Sequence, residues 1–196
     1  MSLLVRGGTV VTMNDRFEVV EGDVSIRDGR IAAIGANLDG HHERVVEARG
    51  GFILPGLIQT HIHLCQTLFR GYADDLRLMD WLRTRVWPME AAHTPETLRA
   101  SARLATTELL SSGTTAVLTM ETVHDTDVVF EAVAESGLRA TIGKCMMDFD
   151  AQVPRRLQEE TRASLDESVA LVSDGFQNGS DADTIGTIGT HDITLS

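Results

Sequence analysis

The run from Gly51 to Gln66, GFILPGLIQTHIHLCQ, constrains this chain more than any other stretch. An apolar segment, a Pro-Gly pivot and a second apolar segment lead into His61-Ile62-His63. In a strand, successive side chains point to opposite faces, so His61 and His63 share one face and Ile62 takes the other. A buried parallel strand is normally apolar throughout, and an unpaired polar group there is costly. Two imidazoles one residue apart on a single face suit one metal ion. Zinc and its neighbours favour neutral imidazole nitrogen, and a catalytic site takes about three protein ligands plus an open position. The alternative is a pair of histidines that simply alternate in a strand. The spacing alone leaves both readings open.

Ahead of this run, residues 1–55 read as short β-strands at 3–5, 9–12, 19–24 and 30–34, separated by turn formers such as Gly7-Gly8 and Asn14-Asp15. Asp28-Gly29 between two apolar runs is a hairpin signal. This segment holds no catalytic cluster, and His41-His42 sits among loop residues as an exposed pair. From Gly56 onward the pattern changes to strand–helix alternation, which signals a parallel sheet. The first strand ends near His63, and a long connection follows from Gln66 to His93. Thr94-Pro95-Glu96 then starts a helix, with Thr as N-cap and Pro at the first helical position. Leu98, Ala102, Ala105 and Leu109 fall on one face of it, and Gly113 is placed to stop it. A strand at 114–120, a helix from His124-Asp125 to Gly137, a strand at 138–146 and a helix at 155–172 come next. A polar loop at 173–183 and a strand at 184–188 complete the pattern. That makes about four strands, where a complete (β/α)₈ barrel needs eight and about 250 residues.

Composition narrows the function classes. A formal net charge of -12 argues against binding phosphate backbones, so no nucleic-acid partner is expected. No apolar run approaches the roughly 18 residues of a membrane span, and the N-terminus lacks a basic-then-apolar signal pattern. Cys65 and Cys145 are the only 2 cysteines, too few for a disulfide framework and in keeping with a reducing cytoplasm. A cytoplasmic location follows as the expectation.

ILPGLIQTHIHL resembles the first barrel strand of the amidohydrolase superfamily, where P-G-[LF]-[IV]-[DNQ]-x-H-x-H supplies two metal ligands. HIHLCQTLFRGYADDLRLMDWLRTRVWPME is similar to the branch of nucleoside and aminopurine deaminases and chlorohydrolases. The resemblance implies the first half of a (β/α)₈ TIM barrel over residues 56–196, preceded by part of a small β-sandwich over residues 1–55. It implies that His61 and His63 hold Zn²⁺, with Fe²⁺ as an alternative. By the same resemblance Trp81 lies over a nucleoside, Glu90 contacts ribose, and Gln66 reads the base edge. Lys144 falls where the branch carries a basic residue facing substrate. His191 falls in Gly189-Thr190-His191, similar to a G-P-H motif but with Thr in place of Pro. The residue readings that compete with these are plain: Trp81 packing its loop, Glu90 as a surface acid, Lys144 reaching solvent, His124 at a helix start. Cys65 reads as a small buried hydrophobe and Met146-Met147 as core filler.

The family's further ligands, a His on strand five, a His on strand six and an Asp on strand eight, have no matching position, nor does its catalytic Glu. No catalytic residue is therefore assigned within the chain. The implied function is hydrolysis of a C–N bond in a cyclic amidine, chiefly deamination of a small-molecule aminopurine or its nucleoside. Chlorohydrolase chemistry and other cyclic-amide hydrolysis stay open, as does a non-catalytic half-barrel acting as a fragment or assembly partner. Homo-oligomer formation is left open too.

Overall fold

Asp28 and Gly29 both take positive φ, 49° and 72°, the backbone that a tight hairpin between right-twisted strands requires. They join β2 (Val19–Arg27) to β3 (Arg30–Gly35), and β2 also pairs antiparallel with β1 (Ser2–Val11). In this computed structural model residues 2–148, 152–178 and 185–186 are described. The chain divides into two units, Met1–Gly56 and Leu57–Ser196.

The first unit is one five-stranded sheet. β1 is continuous where the sequence suggests two strands broken at Gly7-Gly8; the pair of glycines produces a register shift instead of a turn. The buried carboxylate of Asp23 accepts hydrogen bonds from the Gly7 N–H (2.8 Å) and the Leu38 N–H (2.9 Å), pairing the backbone that the irregularity leaves over. β4 (Arg44–Glu47) and β5 (Phe52–Ile53) lie parallel to β1. At four and two residues they are too short for alternation to reveal in the sequence. Leu4, Val10 and Val24 are buried in this unit.

The second unit carries a four-stranded parallel sheet of β6 (Leu57–Ile62), β7 (Thr114–Met120), β8 (Arg139–Gly143) and β9 (Ile185–Gly186), in that order. The connection after β6 is mostly helical. A 3₁₀ segment (Leu64–Phe69) comes first, then α1 (Leu78–Trp81) and α2 (Trp87–Ala91) joined through a wider π turn (Leu82–Val86). α3 (Pro95–Ser111) follows, opened by reciprocal capping. The Thr94 hydroxyl accepts from the Thr97 N–H, and the Thr97 hydroxyl accepts from the Thr94 N–H. Leu98, Ala102 and Ala105 of α3 pack with Val117 of β7, with Val129 and Val133 of α4 (Thr126–Ser136), and with Ile142 of β8. Gly137, at φ 75°, ends α4 in the left-handed conformation.

Two boundaries depart from the sequence expectation. β8 stops at Gly143 rather than at 146, and α5 (Thr161–Asn178) starts later than 155 and runs into the expected loop. Residues Arg155–Leu157 form a 3₁₀ turn whose Leu157 is buried beside Trp87 and Val153. His191 lies outside the described residues. Among the described residues, no helix is long and apolar enough to cross a membrane.

Candidate metal and substrate site

β6 delivers His61 and His63 at its C-terminal end, the end at which parallel barrels assemble active sites. The two rings lie 5.3 Å apart between centroids and nearly perpendicular, at 87°. His63 Nδ1 donates to the Met120 carbonyl at 2.7 Å. A carbonyl can only accept, so the proton sits on Nδ1 and the imidazole lone pair on Nε2. This is the outer hydrogen bond that metal-binding histidines usually carry.

Directly after His63 the backbone turns inward, and three buried side chains meet it. Glu121 accepts from the Leu64 N–H and the Cys65 N–H, one oxygen each at 2.9 Å. The Ser101 hydroxyl lies 2.8 Å from the Leu64 carbonyl and 2.9 Å from that of Cys65. His93 Nε2 donates to the Cys65 carbonyl at 2.9 Å, and Phe69 stacks on its ring. Burial sets the protonation of this group. It raises Glu121 to about 7 against the pull of its hydrogen bonds, and lowers His93 towards the neutral form. Burial also raises the Cys65 thiol well above its ordinary value, which leaves it a small apolar group rather than a nucleophile.

His61, His63, Gln66 and Trp81 line one cavity of about 710 Å³, together with Tyr72 and Arg85. The Arg85 guanidinium stands over the Tyr72 ring at 5.0 Å. Four of the residues singled out in the sequence are thus brought together. Glu90 stands behind them: its carboxylate accepts from Gln66 Nε2 at 2.9 Å. Burial pushes Glu90 up to about 7, with the Gln66 and Cys65 hydrogen bonds pulling the other way.

Lys144 is not brought to this cavity. It is 2% exposed, and its ammonium donates to both oxygens of Glu159, at 2.7 and 2.8 Å, and to the Cys145 carbonyl. A basic residue expected to face substrate is instead committed to a buried ion pair. His124, Glu159 and Glu167 bring three metal-capable groups within 4.8 Å of one another. The Lys144 ammonium, 3.7 Å from Glu167, already serves as the cation of that cluster. Sequence reading missed Glu121, Ser101, His93 and Glu159. Glu121 alone left a signal, a carboxylate at the end of the apolar run TAVLTM.

His61 and His63 fit a zinc ion in donor chemistry and in the outer hydrogen bond, but as two ligands of a set that takes about three. Among the described residues no third His, Cys, Asp or Glu joins them in a cluster.

Residues 52–186 match the model of the amidohydrolase family. The 5-methylthioadenosine/S-adenosylhomocysteine deaminase of Thermococcus kodakarensis is 37% identical over 171 residues, 87% of this chain and 39% of that protein. The crystal structure of guanine deaminase from C. acetobutylicum superposes with a TM-score of 0.86 at 23% identity, covering 97% of this chain and 46% of that one. Atrazine chlorohydrolase from Arthrobacter aurescens TC1, complexed with zinc, gives a TM-score of 0.83 at 23% identity over 96% of this chain and 46% of its own. These two likenesses show the fold: the second unit matches the N-terminal portion of an amidohydrolase TIM barrel. The chain spans about two fifths of the length of the curated relatives it matches. With the family model covering most of its residues, and with 37% of 171 aligned positions identical to a curated relative, this chain belongs to the amidohydrolase family.

Proposed function

We propose that the chain carries the opening part of a metal-dependent hydrolase site for a cyclic amidine, and that the reaction is hydrolytic deamination of an aminopurine or its nucleoside. The observation that carries this reading is the pairing of His61 and His63 at the end of β6, on a cavity shared with Gln66 and Trp81. The similarity to a deaminase of methylthioadenosine and S-adenosylhomocysteine supports the purine class. His61 and His63 hold the metal, zinc or Fe²⁺; when bound, such an ion lowers the pKa of water towards neutrality and so supplies a nucleophile. The net reaction adds water at the ring carbon bearing the amino group and releases ammonia.

The chain's own side chains bind and orient the substrate. The Trp81 indole offers a face on which a purine stacks. The Gln66 amide can donate and accept at once, matching a base edge. Glu90 holds the Gln66 amide nitrogen, and a ribose contact for it rests on sequence similarity alone. Lys144 has no part in this reading, since its charge is spent on Glu159. A role for His191 in substrate binding rests on sequence similarity alone.

The test is equilibrium titration of the chain with Zn²⁺, beside His61→Ala/His63→Ala, followed by binding of radiolabelled adenosine to the parent and to Trp81→Ala. A loss of zinc affinity of at least roughly tenfold in the double variant is expected. Equal affinity would overturn the ligand assignment. Adenosine binding that survives Trp81→Ala unchanged would overturn the stacking role of Trp81, and absence of adenosine binding by the parent would count against the purine reading.

A further inference from the structure

Three consecutive residues at the end of β7 grip four consecutive residues at the end of β6. The Thr119 hydroxyl lies 2.9 Å from the Ile62 carbonyl, the Met120 carbonyl takes the His63 Nδ1–H, and Glu121 takes the N–H groups of Leu64 and Cys65. Glu121 is 2% exposed and Thr119 3% exposed, and their side chains are hydrogen-bonded to each other. Ser101, fully buried, meets the Leu64 and Cys65 carbonyls, so it shares the Leu64–Cys65 peptide with Glu121 and holds the next peptide along. The His63–Leu64 peptide plane is therefore held at its N–H, which sets ψ of His63, while Met120 holds the ring.

We propose that Glu121, with Ser101 opposite it, is a positioning residue that fixes the backbone and ring tautomer of His63. This rests on the reading of His63 as a metal ligand. Met120 and Glu121 share a peptide whose N–H donates to the Gly143 carbonyl at 2.7 Å, so the carbonyl that takes the His63 ring and the carboxylate that takes its peptide N–H are set on one strand end. Neither Glu121 nor Ser101 lines the cavity of about 710 Å³ that contains His63. Their effect on the site passes through the backbone they hold. A ligand held by two grips from one strand end pays little ordering cost when it binds, and loss of such outer partners typically lowers metal affinity by roughly 10–100-fold.

The experiment compares the parent chain with Glu121→Gln, Ser101→Ala and His61→Ala/His63→Ala, by two readouts. The first is the ¹⁵N–¹H correlation spectrum of the histidine rings at alkaline pH, with His63 identified as the signal lost in a His63→Ala single variant. The parent is expected to show the Nδ1–H form of His63; Glu121→Gln is expected to show a mixture with the Nε2–H form. The second is Co²⁺ affinity from its visible absorption, expected to fall roughly 10-fold or more in Glu121→Gln. Ser101→Ala should move both in the same direction by less, and it serves if Glu121→Gln fails to fold. An unchanged His63 tautomer in both folded variants overturns the proposal. Unchanged Co²⁺ affinity in His61→Ala/His63→Ala, with a shifted tautomer in Glu121→Gln, would sink the ligand reading and leave the positioning role standing.

Discussion

Lys144 shows how burial changes what a charged residue is worth. Its side chain is 1% exposed and that of its partner Glu159 6%, so both charges have left water. Removing one member of such a pair leaves the other uncompensated, at a cost of about 3–5 kcal/mol. Lys144→Met is expected to lower stability by that amount in urea unfolding, and Lys144→Met/Glu159→Gln to recover most of it. A single variant as stable as the parent would mean the pair is not formed. Glu90 gives a pH dependence whose sign follows from its raised value of about 7, against an ordinary 4.5. The folded state holds this proton more tightly than the unfolded state does. Its stabilisation is thus full below about 4.5 and is lost as pH rises through about 7. Glu90→Gln removes that loss, so the variant should gain on the parent between about pH 5 and pH 8. Equal urea midpoint differences at the two pH values would contradict it. Neither property was legible in the sequence, where Glu90 and Lys144 read as candidate substrate contacts. What redirected them was contact, with Gln66 for one and with Glu159 for the other.

At the scale of elements, α3 was readable because its determinants are local. Thr94, Pro95 and the Leu98, Ala102, Ala105 spacing all lie within a few turns of one another, and the capping bonds form as the sequence suggests. Thr94→Ala should cost about 1 kcal/mol in thermal or urea unfolding. Leu98, 1% exposed at the centre of the core with β7 and α4, should cost about 2–5 kcal/mol when cut to Ala. Similar losses for the two would mean that Leu98 is not packed as described. α5 was misread at its start because the cause is distant. The Glu159 N–H donates to the Met147 carbonyl and its carboxylate accepts from the Lys144 ammonium, which keeps this stretch out of the helix until Thr161. The periodicity of residues 155–172 carries no trace of that tether.

Among the described residues of the second unit, β6 stands at one edge of the four-stranded sheet, with Leu57 58% and Ile58 70% exposed. Unpaired backbone groups beside exposed apolar side chains invite pairing with another strand. The purified chain of 196 residues is expected to show a molar mass that rises with concentration in light scattering. Ile58→Lys, placing a charge on that edge, should reduce the rise. A concentration-independent mass in the parent would show that the edge is protected.

The sequence by itself determined the strand–helix alternation, the hairpin at Asp28-Gly29, the caps of α3 and the shared face of His61 and His63. Each depends on residues within one or two turns of each other, where propensity and periodicity act directly. The tertiary structure alone decided which carbonyl would hold His63, that Glu121 and Ser101 would between them hold the peptides that follow it, and that Lys144 would turn to Glu159. Those contacts join residues between 15 and 57 positions apart. Their energies come from burial and from completing hydrogen bonds in a low-dielectric interior. Only packing the strands together creates that interior, and no local pattern encodes it.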